Sequence, residues 1–442
     1  MIHGFGPRVA RMARNLTYTA TAGIERKDTL GTLASAALFL LPAAMVSTPF
    51  NVLPFALVLL LTSAWGFSRL WRARPGVIGY LLLALTVAAL ASSLVSSWQS
   101  AEAFRDEGYR TRFLAMPWVL LWVCAFRPRQ EMLWWGALFG LFATLAIAIY
   151  QVTHGWPRAE AWTNSIVLAD VTLVLMIVLV FCRPPGRWGC IALGMAAGGA
   201  VILLSGSRGV WPALLALLVA MALSIRRGSG RLRLASLAGL LLVAATLVLA
   251  VPQLRELTRL SELHSDVQRI EAGDVDSSAG ARLERLQVAW DTFREHPWTG
   301  VGIGKFDTAM QRLPDCRLPQ VVEARCHLGH AHNDVAEWGA TEGIPGLLLL
   351  LCIYGLPLWL FIRLHRHSGE GGFRGPAAAG VMVVVAYILC GATQSMFAHQ
   401  ITVSTYATLV GLLAGLSLMQ ASEHSQPRPG QRTAGRQQPV QG

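Results

Sequence analysis

The stretch IVLADVTLVLMIVLVFC, residues 166–182, is apolar enough to decide the fold class: it holds one charged side chain, Asp170, in 17 residues. A helix needs about 20 mostly apolar residues to cross about 30 Å of hydrocarbon. Similar stretches recur along the chain, whose 442 residues are 54% hydrophobic and 14% charged. Soluble proteins carry about 25% charged residues, so this composition excludes a soluble protein and predicts an integral membrane protein.

The hydropathy pattern predicts an all-α polytopic membrane protein of about twelve transmembrane helices. The predicted spans are 31–48, 51–67, 76–95, 113–126, 133–153, 166–182, 188–204, 209–225, 234–251, 343–362, 376–396 and 401–419. They divide the chain into an N-terminal segment 1–30, nine helices in 31–251, a connection 252–342, three helices in 343–420 and a tail 421–442. The tail is rich in Gln, Pro, Gly and Arg, a composition typical of disorder.

Basic residues are unevenly divided between the connections that join the predicted spans. The set of connections that includes both termini has 22 basic and five acidic residues, whereas the other set has 15 basic and 19 acidic residues. Loops rich in Lys and Arg stay in the cytoplasm. We therefore expect both termini in the cytoplasm. We interpret the net charge of +12 as a topology signal, so it indicates no nucleic-acid partner.

The longest connection on the outer side, residues 252–342, contains no predicted span. Connections of this length are usually functional, so we expect the chemistry here and at the neighbouring span ends. Cys316 and Cys326 both lie in this connection. Two thiols ten positions apart in an oxidising compartment are candidates for a disulfide.

The connection contains a predicted helix, ARLERLQVAWDTFREHP at 281–297. Its apolar stripe is expected to pack on the membrane domain and consists of Leu283, Leu286, Trp290 and Phe293. Arg282 and Arg285 open the helix, where a cation opposes the helix dipole, so at least one is a candidate anion contact. The next segment, GVGIGKF at 300–306, looks like a phosphate loop, but Phe306 stands where the Walker pattern needs Ser or Thr. We interpret its glycines as a tight turn.

The segment HLGHAHNDVAEWGATEGIPG, residues 327–346, has three histidines in six positions: His327, His330 and His332. A zinc site is one interpretation, but the spacings suit one helical face poorly and no Cys or Glu at ligand spacing completes a site. A histidine ahead of a helix N-terminus favours neutral imidazole, the form that a general base needs. A surface loop histidine is the third interpretation. Asn333 and Asp334 are residue types that cap a helix.

Two charged residues lie at or within predicted spans. SGSRGVW, residues 205–211, places Arg208 between the seventh and eighth spans, on the side of the long connection. An arginine at this depth is costly unless it faces an aqueous or ligand cavity. Asp170 suggests the same kind of site, with a structural partnership to an arginine as the alternative.

Three segments, in this order, resemble the O-antigen ligase and polymerase superfamily: SGSRGVW at 205–211, Arg282 ahead of HPWTGVGIGKF at 296–306, and HNDVAEWGATEGIPG at 332–346. The superfamily pattern has an SRG motif, an Arg-Leu ahead of a His-Pro-x-x-Gly-x-Gly turn, and a His-Asn before a Glu-x-Gly-x-x-Gly helix. The first 200 residues agree only in span count and hydropathy. One departure is Leu286, where the pattern usually has an aromatic residue four positions after the arginine.

The resemblance implies a GT-C-like glycosyltransferase of the Gram-negative inner membrane, with its active site on the periplasmic face and residues 252–342 as a periplasmic catalytic domain. Such enzymes are embedded in membrane lipid and take a glycan from undecaprenyl diphosphate, and we expect neither a cofactor nor a metal. By motif position, His332 is expected to act as the base, and Arg208 and Arg282 to contact the diphosphate. Asn333 and Glu337 are expected to support them.

Three activities within the superfamily fit the motifs. Polymerases usually have two large periplasmic loops and protein O-oligosaccharyltransferases an extra C-terminal periplasmic domain, and the sequence suggests neither. The expected reaction is therefore the ligase reaction, transfer of O-antigen to lipid A–core. A flippase or transporter is the alternative from another class. Such proteins usually show internal repeats and charged or interrupted helices at the bilayer midplane, which this sequence does not show.

Overall fold

A computed structural model describes residues 28–74, 76–98, 107–224, 278–314, 316, 326, 329–368 and 373–424. Every regular element within these ranges is a helix, and the protein is an all-α polytopic membrane protein. The predicted ninth span, 234–251, lies outside the described residues, as do the first 27 residues and most of the tail.

The other eleven predicted spans coincide with helices of an apolar bundle. These helices are α1 Thr29–Ala44, α2 Leu53–Trp65 with its short continuation α3 Phe67–Arg72, α4 Gly76–Trp98, α5 Ala115–Phe126, α6 Gln130–Thr153, α7 Ser165–Phe181, α8 Trp188–Ser205, α9 Trp211–Ser224, α12 Asp334–His367, α13 Pro376–Gly391 and α14 Gln400–His424. Between α9 and α12 lie α10 Ser278–Glu295 and α11 Phe306–Met310. By length and composition, α4, α6, α8, α12 and α14 are able to cross a membrane.

Helix α7, formed by the stretch quoted first, lies at the centre of the bundle. All of its residues except Ile166 are buried, and it packs against α6, α8, α9, α13 and α14. A helix that is apolar on every side is one that other helices surround. The lack of a polar face in this stretch therefore reflects its central position among the neighbouring helices.

Three span limits differ from the prediction. The fourth span, predicted at 113–126, starts within a 3-10 helix, Glu107–Leu114, and continues as the 12 residues of α5. The tenth span begins earlier, because α12 extends from Asp334 across a kink at Gly343, whose φ is 66°. The eleventh span, predicted to reach 396, ends at Gly391. Residues 392–399 instead form a connector between α13 and α14 that includes a short 3-10 turn.

Helices α10 and α11 pack beside the start of α12 around a small core of their own. Its residues are Val288, Ala289, Phe306, Ala309, Met310, Ala331 and Ala340. The predicted packing stripe of α10 is therefore only partly right: Leu283 and Trp290 are more than half exposed, whereas Phe293 lies 3.7 Å from where a Cβ on Gly339 of α12 would stand. The helix buries its small residues instead, because they allow close approach to the neighbouring backbone.

The turn at 300–302 fixes the start of α12. Val301 donates its backbone N–H to Ala340 at 3.0 Å, and Gly302 donates to Thr341 at 2.9 Å. Gly300 has a φ of +59°, and a Cβ there would lie 2.1 Å from the carbonyl carbon of Thr341. The structure thus agrees with the interpretation of these glycines as a tight turn. Farther along the chain, Cys316 and Cys326 are joined by a disulfide with Cα atoms 5.5 Å apart.

Candidate active site

His332 lies directly before α12, and the two predicted supporting residues hold the backbone around it. Asn333 is the N-cap: its side-chain oxygen accepts from the N–H of Ala336 at 2.9 Å, and its amide group donates to Ala392 O at 3.0 Å. Glu337 accepts from the N–H of Ala331 at 2.6 Å. The histidine is therefore fixed from both of its chain neighbours.

The ring of His332 contacts the connector between α13 and α14. Its Nδ1 lies 2.7 Å from Oε1 of Gln394. The amide nitrogen of Gln394 lies 2.6 Å from Nε2 of His399. Gln394 is 2% exposed, so its amide makes these contacts away from solvent. The ring of His330 packs against both histidine rings, with centroids 4.4 Å from His332 and 5.0 Å from His399.

The charges of Arg282 and Arg285 act on His332, and the charge of Arg208 acts on Arg282; these three arginines are called the cationic centre. Burial, with smaller contributions from the charges of Arg285 and Arg282, lowers the pKa of His332 to about 4, although the hydrogen bond to Gln394 raises it. Burial also lowers the pKa of Arg282, with a second contribution from the charge of Arg208. Charges that act on one another in this way lie close together. The fold thus brings the SRG segment, α10 and His332 to one place.

The segment around Arg208 is held by contacts on both sides of the arginine. The hydroxyl of Ser207 donates to Ser165 O at 2.9 Å, and Arg158 donates to Ser205 O at 2.7 Å. Gly209 packs against Thr393, whose hydroxyl donates to Gly209 O at 3.3 Å. A Cβ on Gly209 would lie 2.5 Å from that hydroxyl oxygen. The connector that contacts His332 therefore also positions the SRG segment.

A polar cavity of about 260 Å³ lies on the other side of His330. Its charged lining residues are Arg110, Asp307, Glu337 and Glu342. Arg110 forms a buried ion pair with Glu342 and stacks over the ring of Trp338, 3.8 Å from its centroid. This pair joins the segment before α5 to α12, which supports the wall of the cavity.

Asp170 does not have, within the described ranges, the arginine partner that was the alternative predicted for it. It is buried in α7, and its carboxylate is hydrogen-bonded to the thiol of Cys390. Its Oδ2 has no hydrogen-bond partner among the described residues, and in that part of the chain no arginine forms an ion pair with it.

Residues 191–351 match the family model described as O-antigen ligase. Over these residues the chain is similar to the O-antigen ligase family. An uncharacterized protein of Haemophilus influenzae is 24% identical over 198 residues, which cover 44% of this chain and 49% of the relative. The alignment thus spans about half the length of that relative.

The match to the O-antigen ligase family extends from α8 into α12 and includes Arg208, Arg282 and His332. It ends before the connector, so Gln394 and His399 lie outside it.

Sequence reasoning missed Gln394, His399 and Arg158, and it chose Arg282 without Arg285 as the second arginine of the site. Gln394 fell at the end of a predicted span, where a polar amide in an apolar run was itself a signal of a site. Arg158 lies in a short connection with no motif around it. His327, the third histidine of the zinc interpretation, is outside the described residues. Within the described ranges, no three metal-ligating side chains form a group that could hold an ion.

Proposed function

We propose that this protein is an O-antigen ligase that transfers O-antigen polysaccharide from undecaprenyl diphosphate to a sugar hydroxyl of lipid A–core. The observation that carries the proposal is the convergence of three segments far apart in the sequence: Thr393 and Gln394 of one connector contact Gly209 and His332, and Ala331 packs with Val288 and Ala289 of α10. These segments carry Arg208, His332 and Arg282. A base beside fixed positive charge is what glycosyl transfer from a diphosphate needs, because one group takes a proton while another receives a departing anion.

In this reaction the acceptor hydroxyl attacks the anomeric carbon of the donor while His332 takes the hydroxyl proton on Nε2. The bond between the anomeric carbon and the diphosphate oxygen breaks, and its electron pair leaves with undecaprenyl diphosphate. Arg208 and Arg282 bind the diphosphate oxygens, since a guanidinium stays charged and offers two parallel donors to a phosphate. A displacement in a single step inverts the anomeric configuration.

No metal takes part in the proposed reaction. Arg208 and Arg282 supply the positive charge that a divalent ion would otherwise bring to the leaving group. The lowered pKa of His332 supports the assignment of the base, because an imidazole with this pKa is neutral at pH 7. The nitrogen that accepts the proton then needs no metal to activate it.

The proposed location is the inner membrane of a Gram-negative bacterium, with both termini in the cytoplasm and the site on the periplasmic face. The excess of basic residues in the connections that include the termini supports this orientation. The acceptor then reaches the cavity from the outer leaflet. The diphosphate of the donor lies at the membrane surface, where the cationic centre is.

The test is glycan transfer by the purified protein, using a synthetic undecaprenyl-diphosphate-linked glycan and three separate acceptors: lipid A–core, a second carrier-linked glycan and an acceptor protein. Transfer to lipid A–core with inversion is the expected result. His332→Asn should lower turnover by roughly 10²–10⁴-fold, the range for a positioned base. Asparagine is chosen because it tolerates the positive φ of 55° at this position.

The matched control is His154→Asn, which changes an exposed histidine outside the site and should leave turnover unchanged. Near-normal transfer by His332→Asn would remove His332 from the reaction. Transfer only to the carrier-linked glycan would make the protein a polymerase, and transfer only to the acceptor protein would make it an oligosaccharyltransferase.

A further inference from the structure

We propose that Gln394 is a positioning residue that selects the tautomer of His332, acting together with His399. This inference rests on the proposed role of His332 as the base. The amide of Gln394 bridges two imidazoles, with Oε1 2.7 Å from His332 Nδ1 and Nε2 2.6 Å from His399 Nε2. Each contact commits one atom to donate and the other to accept.

The direction of the two bonds follows from the chemistry of the amide. The Nε2 group of Gln394 only donates, so Nε2 of His399 must accept and must carry no proton. Oε1 of Gln394 only accepts, so Nδ1 of His332 must carry the proton. The neutral imidazole has one proton, and Nε2 of His332 is then left with a free lone pair. This is the tautomer that a base needs if it takes the acceptor proton on Nε2.

Two further observations support this arrangement. Burial lowers the pKa of His399, which keeps its ring neutral and able to accept from the amide. The connector that carries Gln394 is itself fixed, since Asn333 donates its backbone N–H to Ser395 at 3.2 Å and Thr393 donates to Gly209. The amide therefore has little freedom to rotate and exchange its two ends.

A glutamine suits this role better than a carboxylate at this position. A carboxylate next to His332 would stabilise the imidazolium and raise the pKa of the base. The neutral amide orients the ring without adding charge, so the imidazole remains neutral even at a low external pH. The other groups facing His332 are Arg282, Arg285, His330 and His399, and none of them is an anion.

The experiment combines nitrogen-15 NMR of labelled histidine with kinetics on the full-length protein. The His332 signal is assigned by its loss in His332→Asn. In the unsubstituted protein we expect the protonated nitrogen to be Nδ1. In Gln394→Met the tautomers should mix, and kcat should fall at least about tenfold while KM for the donor changes little. The loss of the residue that holds a catalytic histidine in its tautomer has effects of this size or larger.

Gln394→Glu supplies the second readout. Its carboxylate still accepts from Nδ1 of His332, so activity at high pH should be retained in part. The charge should raise the pKa of His332, and the pH below which activity is lost should move upward. A residue that only supports the fold would not shift this limit. The matched control is Gln420→Met near the other end of α14, about 30 Å away by helix length, which should leave kcat and the His332 signal unchanged.

The outcomes separate this inference from the proposed function. If His332→Asn retains turnover, the proposed base is wrong. If His332→Asn is inactive but the proton in the unsubstituted protein lies on Nε2, the tautomer assignment for Gln394 is overturned while the base remains. Full activity of a folded Gln394→Met variant would also overturn the inference.

Discussion

Activity should persist at a pH where an ordinary histidine base would already be protonated. Burial and the charges of Arg285 and Arg282 lower the pKa of His332 to about 4. At pH 5 about 90% of a group with this pKa is neutral, against about 3% of a histidine with the ordinary pKa of about 6.5. Because only the neutral ring can take the acceptor proton, kcat/KM at pH 5 should be within about twofold of its value at pH 7.

The assay is kcat/KM for the donor between pH 4 and 8, which reports the groups of the free enzyme. The donor itself does not titrate here, because a diphosphate diester lacks the proton that phosphate monoesters lose near pH 6. Arg285→Met removes one of the two arginine charges that lower the pKa of His332. The pH below which kcat/KM falls should therefore move upward. The control Arg294→Met, on the exposed last turn of the same helix, should not. If kcat/KM of the unsubstituted protein already falls near pH 6.5, the reasoning is refuted.

Three other perturbations test the site and its support. Arg208→Lys and Arg282→Lys should each lose most activity at unchanged melting temperature, because the compact ammonium cannot reproduce the two-point phosphate contact. Equal losses of activity and melting temperature would indicate that the arginines only anchor loops. Excess EDTA should leave transfer unchanged, and activity that zinc or magnesium restores after EDTA would bring back a histidine metal site. Gly300→Ala should lower the melting temperature and the activity together, since its Cβ would meet Thr341. Gly189→Ala, which meets nothing within 4 Å, is the control that should change neither.

The fold class was predictable because membrane spans depend on length and apolarity alone. Span limits were less predictable: the start of α12 is helical on both sides of a kinked glycine, and hydropathy does not register such a kink. The predicted packing stripe of α10 was wrong for Leu283 and Trp290, which are exposed. In a protein that also contacts lipid, large apolar side chains do not have to be buried, and Val288 and Ala289 form the packed face instead.

The arginines and the histidine could be proposed as site residues from the sequence because each stands in a motif with distinctive spacing. Their proximity was not predictable, since two predicted spans lie between residues 208 and 282, and the sequence does not state the path of the connection from 282 to 332. The role proposed for Gln394 was harder still to predict from the sequence. Its role depends on which atoms of one amide face two histidines, and only the folded connector determines that.

The positive φ of His332 implies a cost that the folded protein carries in order to act. The left-handed region is strained for a side chain with a Cβ, by about 1–3 kcal/mol, although histidine tolerates it better than most residues. Glycine at this position would relieve the strain. His332→Gly is therefore expected to melt at a higher temperature than the unsubstituted protein, with turnover lowered by roughly 10²–10⁴-fold as in His332→Asn. Selection for thermal stability alone would remove the base, and selection for activity keeps this position below its stability optimum.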